Sequence, residues 1–269
     1  MKSFGRIGVG AACAVVLVVL LDGFLVPELS AGARFWYGTL NRVTLYALGA
    51  LAAGMAASKF GWWSEHVGRA WTLFCVEFLL LLANYIVRRT FPDARLVLNA
   101  SLVVANLAQI AAYWLMARTL TAAGLDYYGS RLKKILIITA ALGVAILLCY
   151  SSLATEWESI HAGLVRPGRL FSVLSDMITF VLIAPLLVTT YALRGGRLFW
   201  IFGFLTLSVF GWMVNQAGTP IGVLLGGGGE AARVVRIAGV AVASLFNAAA
   251  AVTQRLAADR AMRESHAGE

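Results

Sequence analysis

The chain consists of long apolar runs separated by short links that contain charged residues, glycine or proline. A hydrocarbon core of roughly 30 Å needs about 20 apolar residues per helix, and eight windows approach that length. We therefore predict eight transmembrane helices, at residues 7–26, 41–58, 70–87, 96–117, 134–154, 170–193, 198–214 and 233–254.

Composition supports this assignment. Of the 269 residues, 60% are hydrophobic and only 13% are charged, which is more apolar surface than one soluble core could bury. The links are too short to hold a soluble domain. We predict an all-α protein, a polytopic membrane helical bundle in which residues 1–269 form a single transmembrane domain.

The N-terminal run has one alternative interpretation. It follows a basic start, and Ala31-Gly32-Ala33 is a small-residue pattern at which a signal peptidase could cut. Cleavage there would leave seven spans, with the N-terminus outside.

Basic residues predict the orientation of the bundle. With eight spans, 13 of the 22 lysines and arginines fall on the side that holds both termini, and the other nine fall on the opposite side. The positive-inside rule then places both termini in the cytoplasm. The net charge of +9 indicates contact with anionic headgroups of the lipid bilayer, not binding of nucleic acid.

The third span contains an acid in the run TLFCVEFLLLLANYIV. A charged side chain in mid-membrane costs about 2.5–3.5 kcal/mol on insertion scales, and no basic residue lies at the depth of Glu77. We therefore predict that Glu77 is protonated at neutral pH and donates a hydrogen bond. Asn84 follows two helical turns later, so it shares the face of Glu77.

Two further spans carry polar residues. The fourth repeats the seven-residue spacing with Asn99 and Asn106, and the sixth places Asp176 and Thr179 before a helix-bending proline, Pro185. Two interpretations are open. The polar groups either hold neighbouring helices together, with Ser and Thr stabilising the proline kink, or line a site.

The depth of these polar residues in the membrane favours the second interpretation, in which they line a site. For cytoplasmic termini, most of these polar residues fall in the outer half of the membrane and Glu77 lies deeper. We predict a funnel-shaped ligand-binding cavity open to the outer face, formed by Glu77, Asn84, Asn99, Asn106, Asp176 and Thr179, with Pro185 as a hinge. At its rim we expect Asp22 to pair with Arg42.

Motifs for other chemistry are missing from the sequence. The three histidines lie outside the centres of the spans, the three cysteines have no CxxC spacing, and no hydrolase motif occurs. We predict neither a metal site nor a cofactor. An enzyme is disfavoured, although acids and amides could still act on a lipid.

The segment LSDMITFVLIAPLLVTTYALRGGRLFWIFGFLTLSVFGWMVNQ resembles bacterial membrane input domains of seven or eight helices, which precede diguanylate cyclase or histidine kinase modules. The likeness rests on an acid early in one span, a basic-glycine hinge and two tryptophans in the next span: Asp176, Arg194, Gly195, Gly196, Arg197, Trp200 and Trp212. It implies a sensory function in a bacterial inner membrane.

The polar residues within the spans and the family resemblance together favour one function over the others. The leading hypothesis is a non-enzymatic membrane module that binds a small or lipidic ligand, for sensing. Because no output module follows the spans, we expect it to signal through a membrane or cytoplasmic protein partner, with the tail at residues 255–269 presenting the change. The alternatives are a small-solute or proton-coupled transporter, a lipid-modifying enzyme and a structural subunit.

Overall fold

A computed structural model describes residues 2–122, 130–162, 167–192, 196–226 and 228–266, which are almost entirely helical and contain no strand. A π-helix at Leu21–Leu25 and a 3-10 turn at Val26–Glu28 continue the first helix. The α-helices are α1 (Lys2–Leu20), α2 (Ala31–Lys59), α3 (His66–Thr90), α4 (Arg95–Ala122), α5 (Arg131–His161), α6 (Pro167–Ala192), α7 (Arg197–Gln216), α8 (Gly218–Leu224) and α9 (Gly228–His266).

Among the described residues, seven helices are long and apolar enough to cross a membrane: α1 with its continuation to Glu28, α3, α4, α5, α6, α7 and α9. The prediction of an all-α, multi-pass membrane protein is thus confirmed in its class. The predicted count of eight is not confirmed, because α2 contains no stretch as apolar as those in the other long helices. Its predicted window begins at Asn41 and Arg42 and continues with many alanines and glycines.

Small residues let α2 pack closely against its neighbours. Gly49, Ala53 and Ala57 are buried where α2 meets α3 and α9. A methyl group added at Gly49 would lie 2.7 Å from the Phe78 ring, so only glycine fits there. The composition that lowers the hydropathy of α2 therefore also gives it a tight packing face.

The described beginning and end of the chain meet at one end of the bundle. The Arg260 guanidinium lies 4.8 Å from the Phe4 ring, and the Lys59 ammonium lies 2.5 Å from an Asp259 oxygen. We call this the terminal end, and the opposite end the distal end. Because α2 finishes at Lys59, it runs toward the terminal end.

An apolar core fills the half of the bundle nearer the terminal end. Trp71, Phe74 and Tyr113 are at most 2% exposed, and the rings of Phe74 and Tyr113 pack edge to face with centroids 4.9 Å apart. Toward the distal end, Gly211 of α7 and Gly239 of α9 touch through their backbones, which leaves no room for a side chain at either position.

Small parts of three predictions fall outside the described residues. These parts are Leu193 at the end of the sixth window, Arg194 and Gly195 of the basic-glycine hinge, and the last three residues of the tail. The sequence did not predict α8, whose seven residues are too few to span a membrane and pack instead against α9.

Candidate ligand-binding cavity

A cavity of about 400 Å³ occupies the distal half of the bundle. Its walls come from α2, α3, α4, α6 and α7, with single residues from α5, α8 and α9. The lining residues are Arg42, Tyr46, Glu77, Leu81, Asn84, Tyr85, Arg88, Leu102, Ala105, Asn106, Gln109, Ser152, Arg169, Ser172, Asp176, Trp212, Asn215, Gln216, Thr219 and Arg236.

Helical periodicity explains how distant residues reach one cavity. Arg169 and Asp176 on α6 are seven residues apart, and Glu77 and Asn84 on α3 have the same spacing. Residues separated by two turns share one face of a helix. Each of these helices therefore turns a single polar stripe inward, while its other faces meet apolar neighbours or the exterior.

Two carboxyl groups form the floor of the cavity. Glu77 and Asp176 are each 3% exposed, both line the cavity, and neither forms an ion pair among the described residues. Gln216 donates a 2.9 Å hydrogen bond to Asp176. Glu77 makes no hydrogen bond or ion pair within the described part of the chain, so this buried carboxyl faces the cavity without a partner.

Amide groups complete the floor. Ser175 donates hydrogen bonds of 3.2 Å to the Asn106 carbonyl and 3.0 Å to the Gln109 side chain, which ties α6 to α4. The Asn106 side chain donates to the Leu102 carbonyl. These contacts fix the wall of the cavity beside Asp176.

Four arginines surround the mouth: Arg42, Arg88, Arg169 and Arg236. Arg88 and Arg169 are exposed at the distal end, whereas Arg42 and Arg236 are half-buried. Arg42 and Arg169 both lie near enough to Arg88 to repel it electrostatically. The mouth is therefore strongly positive.

Only one of these guanidinium groups pairs with a carboxylate of the described residues. Arg169 lies 3.0 Å from Glu156, which is itself buried. Arg236 donates to the Thr219 hydroxyl, and Arg42 lies 5.6 Å from the centroid of the Tyr85 ring. Most of the positive charge at the mouth is thus not neutralised by carboxylates of the described residues.

Four of the predicted site residues line this cavity: Glu77, Asn84, Asn106 and Asp176. The Asn84 side chain also joins α3 to α4, because it donates 2.7 Å hydrogen bonds to the Leu98 carbonyl and the Ser101 hydroxyl. These contacts of Asn84 are those expected of a polar residue that holds neighbouring helices together. Glu77 has no such contact.

Asn99 and Thr179 lie outside the cavity wall. The Asn99 side chain donates back to the Arg95 carbonyl of its own helix at 2.9 Å. Thr179 is buried and donates to the Ser175 carbonyl at 2.9 Å. The predicted hinge, Pro185, lies inside α6, which continues through it as a helix.

Asp22 forms its ion pair with Arg233 and not with the expected partner, Arg42, which acts on Asp22 only from a greater distance. The guanidinium of Arg233 lies 2.6 Å from the Asp22 carboxylate and also donates to the Asp22 carbonyl at 3.2 Å. Asp22 belongs to the π-helix, which contacts α9 near Arg233, whereas Arg42 lies beside Tyr85. Asp22 is therefore not part of the cavity.

The arginines of the mouth are the main feature that sequence reasoning missed, because basic residues at span ends were interpreted only as topology signals. Spacing could have revealed two of them. Arg88 follows Glu77 by eleven residues, close to three turns, and Arg169 precedes Asp176 by seven. Both arginines therefore share a helix face with a floor acid.

The apolar core closes the cavity on the terminal side. Phe74 lies three residues from Glu77, and the Tyr113 hydroxyl donates to the Leu205 carbonyl at 3.4 Å. The core side chains Phe74, Tyr113 and Leu205 are at most 2% exposed. The cavity is thus a pocket that ends near the middle of the bundle.

This arrangement can hold a small polar solute between guanidinium groups at the mouth and carboxyl and amide groups on the floor.

No protein-family model matches the chain, and no curated protein or solved structure shows significant similarity to it.

Proposed function

We propose that this chain is a membrane ligand-binding module with a sensory function. It binds a small water-soluble solute that enters the cavity from the distal end. The observation that carries the proposal is the state of Glu77. A carboxyl that is 3% exposed and has no hydrogen-bond partner among the described residues is costly unless water or a ligand in the cavity satisfies it. The cavity of about 400 Å³ beside it falls within the size range of small-molecule sites.

A purely structural role accounts for less. Polar residues that only link helices should find partners on the neighbouring helix, as Asn84 does. Such a role gives Glu77 no partner among the described residues, and it also gives no reason to gather four arginines around an opening.

We further propose that α2 is an eighth span. Its 29 residues correspond to about 44 Å of helix, which exceeds a hydrocarbon core. Lys59 reaches Asp259 at the terminal end, while the Gly38 carbonyl accepts from Tyr85 near the distal end. An even number of crossings agrees with the contact between Phe4 and Arg260.

The proposed orientation has both termini in the cytoplasm and the cavity open to the outside. Four of the nine basic residues on the distal side line the cavity, which leaves five that would act as topology signals against 13 on the terminal side. Setting the cavity arginines aside therefore strengthens the positive-inside argument. The bacterial inner membrane is the location that the family resemblance implies.

Signalling would pass from the floor of the cavity to a protein partner. Asp176 lies on α6 nine residues before Pro185. A ligand that binds Asp176 can therefore change the angle between the two parts of α6 that meet at this proline. At the terminal end, Arg197 of α7 pairs with Glu264 and donates to the Ala257 carbonyl of α9. A partner that contacts the end of α9 would sense this change.

Thermal-shift measurements on the purified protein in detergent test the binding function. A library of small polar solutes is screened against wild type, Glu77→Gln and Asp176→Asn, with Glu158→Gln as the matched control because Glu158 is exposed outside the cavity. We expect stabilising solutes to lose their effect in the two floor variants only. Equal stabilisation of all four proteins would refute the cavity as the binding site.

The two neighbouring carboxyls also favour a second candidate, proton-coupled transport, because adjacent acids in mid-membrane can exchange a proton as a solute binds. The apolar core beneath Glu77 opposes it, since a transport cycle must open that core. Solute uptake into proteoliposomes that depends on a pH gradient would support transport over sensing.

A further inference from the structure

Charge in the cavity is separated along the membrane normal. On α6, Arg169 and Asp176 are seven residues apart, about 10 Å along the helix; on α3, Glu77 and Arg88 are eleven residues apart, about 16 Å. In both helices the basic residue is nearer the distal end. The cavity therefore has a positive mouth and an acidic floor.

The mouth selects an anionic group. A guanidinium binds a carboxylate or a phosphate through paired hydrogen bonds, and Arg42, Arg88 and Arg236 have no carboxylate partner among the described residues. A solute that carries only positive charge would be repelled by the four arginines before it reached the floor. This excludes simple cations as the preferred ligand.

The floor favours a cation. Glu77 and Asp176 both line the cavity, and neither forms an ion pair among the described residues. An ammonium group placed beside them would favour the ionised form of the two carboxyls, including Glu77, which we predict to be protonated in the empty cavity, and it could donate a hydrogen bond to each. The adjacent Asn106 and Gln109 side chains add further polar atoms to the same wall.

We propose that the ligand is a small zwitterion whose carboxylate or phosphate binds the arginines of the mouth and whose ammonium lies between Glu77 and Asp176. This inference rests on the proposed function, since it requires that a solute enters the cavity. A free amino acid and an aminophosphate headgroup share this chemistry.

Matched probes separate the charge classes. Linear ω-amino acids of three to six carbons are compared with dicarboxylates and diamines of the same chain lengths, by thermal shift and by calorimetric titration. We expect the zwitterion to bind at least about tenfold more tightly than its dianionic and dicationic counterparts at the best length, because each counterpart places one charge against groups of like sign.

Two sources of a zwitterion are distinguished in the same assay. Soluble phosphoethanolamine is added to protein in nanodiscs made with and without phosphatidylethanolamine. If phosphoethanolamine binds only when phosphatidylethanolamine is absent, the lipid headgroup already occupies the cavity, and the natural ligand is the lipid. An equal response in both nanodiscs identifies a free solute.

Variants test the two ends separately. Glu77→Gln with Asp176→Asn removes the floor charges and should weaken zwitterion binding about tenfold while dicarboxylate binding is retained or improved. Arg88→Gln should weaken the zwitterion and the dicarboxylate alike. Arg95→Gln is its control, because Arg95 is an exposed arginine at the same end of the bundle and does not line the cavity.

The outcomes separate this inference from the proposed function. A dicarboxylate or a diamine that binds as tightly as the zwitterion, with binding lost in the floor variants, leaves a ligand-binding cavity but overturns the zwitterion. If no probe and no solute of the wider library stabilises the protein, the proposed function falls and the inference falls with it.

Discussion

The distal and terminal halves of the bundle use the same helices in opposite ways. On α3, Trp71 and Phe74 are fully buried among apolar residues, and one turn further on Glu77 faces a polar cavity. On α4, Gln109 lines the cavity and Tyr113 belongs to the core. The boundary between the halves crosses neighbouring helices at the same level.

This division separates the close-packed part of the molecule from its cavity. Close packing around Phe74 holds the helices together in the terminal half, while the distal half accepts unpaired charge that no stable core would include. A change in the terminal half should therefore affect folding first. A change on the cavity floor should affect binding first.

The largest expected effect is loss of a core ring. Phe74→Ala removes a fully buried side chain that packs on Tyr113, and it should lower the free energy of unfolding by about 3–5 kcal/mol. Unfolding by denaturant in detergent or bicelles measures the loss. The control is Leu79→Ala on the same helix, because Leu79 is 50% exposed. Equal losses in the two variants would mean that the terminal half is not the stabilising core.

A buried ion pair in the distal half should come next. Arg233→Gln leaves the Asp22 carboxylate, which is 0% exposed, without its main partner. Breaking a fully buried pair costs about 3–5 kcal/mol, and because the Arg233 side chain is 34% exposed we expect about 2 kcal/mol here. The double variant with Asp22→Asn should recover part of the loss. If it recovers nothing, the two residues are not energetically coupled.

Glu77→Gln should have a smaller effect of opposite sign. It removes a buried carboxyl that has no partner, so we expect the unliganded protein to become more stable by about 1 kcal/mol. Asp22→Asn is the informative comparison, since it removes a carboxyl that has a partner and should destabilise. A clear loss of stability in Glu77→Gln would show that Glu77 has a structural contact after all, and it would weaken the binding proposal.

Most of the long helices could be predicted from the sequence because a membrane span depends on local composition. It failed to anticipate α8, because seven residues are too few for a membrane span and their place against α9 is a tertiary property. It also began the second span at residue 41, although α2 starts at Ala31, because Arg34 and Asn41 interrupt the apolar pattern without ending the helix.

The lining of the cavity was predictable in part. An acid or an amide in mid-span is conspicuous, so Glu77, Asn84, Asn106 and Asp176 were predicted to lie together, and all four line the cavity. Arg42 and Arg236 were not, because whether a basic residue near a span end faces solvent or a cavity depends on how the helices rotate against one another. That rotation is a tertiary property which no single span encodes.

The smallest expected effect concerns an exposed ion pair at the terminal end. Arg197 and Glu264 lie 3.0 Å apart, but their side chains are 38% and 69% exposed. Water and salt screen such pairs, so Glu264→Gln should lower stability by less than about 1 kcal/mol, and the difference from wild type should vanish at high ionic strength. Unfolding at low and high salt measures it beside Arg233→Gln, whose loss should persist in salt because Asp22 is buried. If instead the terminal pair proved the stronger and less salt-sensitive of the two, the end of α9 would be firmly docked on α7. A signal leaving through that end would then have to move both helices together.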